Sequence, residues 1–301
     1  MHNKKPAVNK QTVICTEMPK RLTIIVSVII LILTGCTTGP RKPTQLCPGT
    51  KSITNSLSLL ESHLENTISL TANGQCILRY YTDGKLHKEN FPVKLWINPP
   101  TQIRLQGDVA FDPKGIVLGL NKNEFWLSIK PKKISCYWWG QRSEVNCIEN
   151  LKISPYILLE AFGGTEIGKE SNWSLSNKAG FDVLTKQNGK GDIVKKIYLN
   201  RCDYLIRKIE YFDVNNELWD TIEMDKYQRV SENVFVPAVI KNINHITADS
   251  KGKTSITLTL KSIKPTEFTE KQQNYLFTRP RPERFKHIYK IIDGKMIEQL
   301  Q

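Results

Sequence analysis

The side chains able to do acid–base, nucleophilic or metal chemistry are scattered along this 301-residue chain. Beyond the first 35 residues its histidines are His63, His87, His245 and His287, none at the spacing that metal ligation uses. Asp108 and Asp112 lie near a glycine-containing turn, where an Asp carboxylate satisfies backbone donors, and nothing pairs them as acid and base. The motifs G-x-S-x-G, H-E-x-x-H, the P-loop and C-x-x-C do not occur. The reading is therefore of a non-enzyme, with no catalytic residue, no metal ligand and no cofactor. Cysteine is the one reactive side chain whose context is informative.

Leu22 to Leu33 (LTIIVSVIILIL) is apolar apart from Thr23 and Ser27, and Lys20 and Arg21 precede it. A helix needs roughly 20 such residues to span a bilayer, so this block has the length of a secretory signal core. Leu33-Thr34-Gly35-Cys36 closes it. These residues resemble the lipobox of bacterial lipoproteins. That resemblance implies a signal peptide over residues 1–35, cleavage before Cys36 and a diacylglyceryl thioether on Cys36 Sγ. The long stretch before the apolar block makes Met18-Pro19-Lys20-Arg21 the expected start of translation. Thr37, rather than Asp, follows the cysteine, a pattern similar to outer-membrane sorting. The expected location is the cell envelope, with the chain anchored by lipid to the outer membrane and facing the periplasm. Two or three acyl chains hold a protein on a membrane stably, where one does not.

Residues 36–50 read as anchor and tether, since Pro40, Pro43 and Pro48 favour extended chain. The formal net charge is +14. Removing the leader, with five Lys/Arg and one Glu, leaves about +10. An exported chain meets an oxidising compartment, so disulfides are expected. Cys136 and Cys147 enclose ten residues where a long hairpin would join two strands, which makes them the preferred pair. The pairing of Cys47, Cys76 and Cys202 stays open.

The elements that position these residues follow from periodicity. Ile53, Leu57, Leu60, Leu64 and Ile68 share one face of a helix. That helix is expected to pack on the domain, since its polar face lacks the Lys/Arg that a membrane-surface helix uses. From Leu70 the period becomes two, and Asp83-Gly84 marks a tight hairpin. A second helix is expected over Ser154–Phe162, with Ser154 as cap and Gly163-Gly164 as its end. Strands resume near Trp173 and run to about Ile263, giving about ten or eleven in all at the spacing of barrels and sandwiches. Trp138 and Trp139 are adjacent in a strand and so point to opposite faces. A curled antiparallel sheet has an apolar concave face, and two short helices cover little of it, which points to a cavity.

The chain over residues 51–268 resembles the LolA/LolB family of bacterial lipoprotein carriers and acceptors. The likeness is carried by Val93–Pro99 (VKLWINP), Ile103–Gly107 (IRLQG), Asn121–Leu127 (NKNEFWL), Tyr137–Gly140 (YWWG) and Ile206–Asp213 (IRKIEYFD). Tyr227 and Phe235-Val236-Pro237 follow in the same layout. The resemblance implies a mainly β fold, an unclosed antiparallel β-barrel with a few short helices covering an apolar cavity. It also implies acyl chains of a lipid or lipoprotein as the partner, for transfer or retention at the membrane. The expected lining is Leu95, Ile97, Ile103, Leu105, Phe125, Leu127, Trp138, Ile222, Met224 and Leu258. The alternative is a structural or assembly lipoprotein that docks an envelope protein partner by a sheet edge or by the basic extension over residues 269–301. That extension interleaves Arg279, Arg281, Arg284, Lys286 and Lys290 with Phe and Tyr, a pattern also suited to nucleic acid. An exported chain makes anionic headgroups the better match, so no nucleic acid is expected.

Overall fold

The computed structural model describes residues 47–82, 84–109, 112–131, 134–144, 154–164, 172–245 and 253–299. The apolar leader, Cys36, most of the tether, Asp83 and Cys147 lie outside them. Leu46–Gln301 forms a compact unit. It carries its own core, which is what a segment needs to fold without what precedes it.

Helix α1 (Ile53–Glu65) starts at Ser52, whose Oγ accepts the Asn55 N–H at 3.2 Å. Leu60 on it is fully buried, and Ile53, Leu57 and Leu64 pack on the same core, as the spacing predicts. Ile68 falls beyond the helix end. Six strands follow: β1 (Leu70–Thr82), β2 (Lys85–Asn98), β3 (Gln102–Val109), β4 (Asp112–Leu120), β5 (Glu124–Ile129) and β6 (Cys136–Gln141). Helix α2 (Pro155–Glu160) separates them from β7 (Asn172–Lys178), β8 (Phe181–Gln187), β9 (Ile193–Asn200), β10 (Ile206–Phe212), β11 (Leu218–Ser231), β12 (Val234–Asn244) and β13 (Thr254–Pro265). Helix α3 (Glu270–Leu276), β14 (His287–Ile292) and β15 (Lys295–Glu298) end the described chain.

All 15 strands form one open sheet. Each half is a meander, β1 joins β13 at its middle, and β7 and β15 are its edges. Every pairing is antiparallel except β14 with β6. The sheet has four or five more strands than the periodicity suggested, and β14 and β15 account for two of them. The tight turn pairs Thr82 with Lys85 across Asp83-Gly84, and Gly84 has φ +71°.

Register explains the core. Leu95 faces Leu105, which faces Leu118, then Leu127 and Trp138. Ile97, Ile103, Leu120 and Phe125 form the next row, all with no exposed surface. Rows of directly opposed apolar side chains are the unit of sheet stability, and each fully buried one contributes roughly 1.5–3 kcal/mol.

The other face of β3–β6 carries a second, smaller cluster of Trp126, Tyr137, Phe285 and Ile288. Trp126 fits because Gly119 stands opposite it, where a Cβ would lie 2.3 Å from the indole. The basic extension covers this cluster. Arg104 and Asn121 donate to the Leu276 and Phe277 carbonyls, and Tyr137 OH donates to Pro280 O at 2.7 Å. Arg279 binds Glu124 at 2.7 Å and lies over Trp139 at 4.0 Å. Trp138 thus faces the main core and Trp139 the strap, opposite as expected.

Cys147 of the expected bridge lies outside the described residues. Cys47 is joined to Cys202, and Cys136 is a free thiol whose Sγ lies 3.2 Å from the Ile134 carbonyl. Among the described strands β6 lies between β5 and β14. Cys136 is flanked by Ile129 of β5 and His287 of β14, and β6 runs on into a 3₁₀ turn at Arg142–Glu144. Beside the bridge, Asp182 accepts from the Thr50 N–H and hydroxyl, Asn177 Nδ2 and Arg201 Nε. Burial alone would raise this carboxyl, but these hydrogen bonds outweigh it and hold Asp182 below the usual carboxylate range. Bridge and carboxylate together fasten the start of the domain to the β8–β9 end of the sheet.

Candidate functional site: an apolar concavity divided by a helix

Helix α2 sits in the hollow of the sheet. Ser154 Oγ accepts the Ile157 N–H at 3.4 Å, Pro155 takes the first turn, and Gly163, with φ +89°, stands beyond its end. One cavity is walled by Ile157 and Leu158 of the helix, and a second pocket lies at its C-terminal end. Between the Ile157 and Leu158 face of α2 and strands β1–β4 and β11–β13 lies a small inner cavity of about 30 Å³, partly open to solvent. Its walls are Cys76, Phe91, Ile116, Leu118, Ile240 and Ile256 together with Leu105, Ile222 and Leu258; Asn242 supplies the polar group. An outer pocket of about 60 Å³, also partly open, lies between the ends of α1 and α2 and the β11–β12 turn. Ile68, Leu70, Phe162, Leu205 and Val236 line it, with His63 and Thr67 at its rim. Burial is the main cause that lowers the His63 pKa below the ordinary value.

Of the ten residues expected to line a cavity, Leu105, Ile222 and Leu258 reach the inner one. Leu95, Ile97, Ile103 and Phe125 are sealed in the core, Leu127 and Met224 nearly so, and Trp138 packs against the core near the β14 edge. Those seven pack against one another across adjacent strands or under α2. Ile116, Leu118 and Ile256 continue the rows of Leu105 and Leu258, so alternation carries their signal. Nothing local foretells the docking of Ile157 and Leu158. Burial pushes the Cys76 thiol up to about 12, so this cavity wall is chemically inert.

A polar row crosses the inner face of β9–β13. Lys195 is opposite Tyr211, Tyr211 opposite Asp220, Asp220 opposite Asn244, and Asn244 opposite Thr254. Glu160, at the end of α2 and without exposed surface, meets this row. Lys195 Nζ binds it at 2.7 Å and Tyr211 OH donates to its other oxygen. Burial first, and then the Glu160 charge, pushes the Tyr211 phenol well above its ordinary range. The ion pair fastens α2 to the sheet.

Burial pushes Asp220 up to about 7, against hydrogen bonds from Asn242, the Thr221 N–H and Asn244. Between about pH 4 and 7 the folded chain therefore holds a proton that the unfolded chain has released. This contribution to stability is complete below that window and is lost as pH rises through it. Urea titrations at a series of pH values should show stability falling by up to about 1.4 kcal/mol per pH unit there, and Asp220→Asn should flatten the slope.

Among the described residues no cluster of three or more His, Cys, Asp or Glu is arranged to hold a metal ion, and no helix is long and apolar enough to cross a membrane. The sequence matches no family model and no curated protein. Three solved structures are similar in fold. A LolA superfamily protein from Nitrosomonas europaea superposes with a TM-score of 0.51 at 13% identity, covering 74% of this chain and 97% of its own. A domain assigned to outer-membrane lipoprotein sorting, from Vibrio parahaemolyticus, gives a TM-score of 0.53 at 14% identity, with coverage of 74% and 97%. A DUF1329 family protein from Desulfovibrio piger gives 0.51 at 10% identity, with coverage of 75% and 98%. The open sheet, its apolar hollow and the helix lodged in it make this a LolA-like fold.

Proposed function

We propose that the protein is a non-enzymatic lipoprotein of the cell envelope, held on the outer membrane by a lipidated Cys36. It shelters acyl chains of a lipid or lipoprotein in the hollow of its sheet, for transfer or retention at the membrane. The observation that carries this reading is the inner cavity, lined by eleven apolar residues and one amide. Its want of charge suits an alkyl chain rather than a polar metabolite. The lipobox-like Leu33–Cys36 supports the membrane address.

The test is uptake of a fluorescent fatty acid. Leu258→Trp fills the inner cavity and is expected to weaken uptake at least about tenfold, with an overpacking cost of about 1–3 kcal/mol that leaves the fold intact. Unchanged uptake by a folded Leu258→Trp chain, or no uptake by the wild type, would defeat the reading. The assembly alternative rests on the unpaired edges β7 and β15, the latter wholly exposed at Lys295–Glu298. Co-purification of one stoichiometric envelope protein, with no lipid in the cavity, would select it.

A further inference from the structure

β1 and β2 run on past their neighbours. They pair from Thr82↔Lys85 inward, whereas β3 first meets β2 at Val93 and β13 meets β1 no further out than Arg79. Lys85–Asn90 is exposed throughout, so roughly 20 Å of ribbon stands free on the β2 side. A two-stranded ribbon is marginal in water, and this one works against itself. Arg79 lies directly opposite Lys88, and neither is paired with a described carboxylate. Directly opposed like charges destabilise a ribbon. The next pair on that face is Tyr81 with Leu86, and Leu86 is 55% exposed.

Cys76 and Phe91 point into the cavity, so alternation turns the Arg79–Lys88 and Tyr81–Leu86 pairs to the outer face. Lys253, just before β13, adds a cation at the same end, while Lys85 at the turn alternates onto the inner face. Glu89, opposite Leu78, is on the inner face. A pair of unmatched cations behind an apolar pair is what a bilayer surface accommodates. Phosphates neutralise the cations, and the apolar pair enters the headgroup boundary.

We propose that the projecting β1–β2 hairpin is a contact for an anionic lipid surface, which would set the cavity walled by Cys76 and Phe91 beside the bilayer. This rests on the acyl-chain reading for its purpose but not for its test. The Leu46–Gln301 unit is sedimented with phosphatidylcholine vesicles, with and without phosphatidylglycerol. It should pellet with the anionic vesicles only, and added salt should release it. Each cation near such a surface is worth about 1 kcal/mol, or roughly fivefold, so Arg79→Gln with Lys88→Gln should weaken binding about 30-fold. That double change relieves repulsion, so the fold should survive it. Leu86→Asp should also weaken binding. Arg281→Gln with Arg284→Gln, which removes equal charge from the strap, should leave binding within about twofold.

Absence of pelleting, equal pelleting with neutral vesicles, or equal loss from the strap variant would overturn the proposal. Fatty-acid uptake by the same proteins separates the two claims. Anionic pelleting without uptake keeps the hairpin contact and rejects the cavity reading, whereas uptake without pelleting does the reverse.

Discussion

Lys195→Met should destabilise the protein by roughly 3–5 kcal/mol in urea unfolding, more than any cavity substitution. Lys195 is 5% exposed and Glu160 has no exposed surface, so losing the ammonium removes the cation 2.7 Å from a buried carboxylate. The tyrosine hydroxyl still donates to Glu160, but one neutral hydrogen bond does not replace a cation. The double variant Glu160→Leu with Lys195→Met separates the cost of the orphaned charge from the worth of the pair. It should recover most of the loss, because apolar replacement of a buried pair is often neutral or better. A single variant as stable as the wild type would show that α2 is held by its apolar face alone. The single variant should also loosen α2 where it walls the inner cavity and speed exchange of a fluorescent fatty acid, a change that destabilisation of a distant strand would not produce.

Replacing Cys47 and Cys202 together by Ser should cost about 5 kcal/mol at 25 °C. The bridge closes a loop between positions 155 apart, and the unfolded chain regains the entropy of that loop. Thermal unfolding with and without a reductant checks it. Reduction should lower the midpoint of the wild type and leave the double variant unmoved. A shift of equal size in both would assign the effect to something other than this bridge. Asp182 and its four donors remain after reduction, so the start of the domain should stay docked near neutral pH. It should loosen in acid, because a carboxylate held below its usual range gives up its contribution as pH falls through its folded value.

Lys195 also shows where sequence reading runs short. It occupies the row of β9 that holds Ile197 and Leu199, so in alternation it breaks an apolar face. Its partner is 35 positions earlier on a different element, and no local pattern names it. Arg279 is the same case. Among arginines in a basic stretch it looks like a surface charge, yet it lies against Trp139 and Glu124, the latter 155 residues away. The extension reads as a headgroup-binding tail because charge density is local, whereas the β5–β6 face it covers is assembled by the whole fold.

The amino-acid order alone determined the helix faces, the hairpin at Asp83-Gly84, the alternation that makes β2–β5 and β11–β13 apolar on one side, and hence a curled open sheet. Periods of 3.6 and 2 are properties of neighbouring residues, and they survive without tertiary contacts. Only the folded structure decided which cysteines meet, which of the ten inward residues reach free space, and that α2 sits in the hollow. Those outcomes depend on contacts between residues tens to hundreds of positions apart. Many such contacts satisfy the same local pattern, and only the packing of the assembled sheet selects among them.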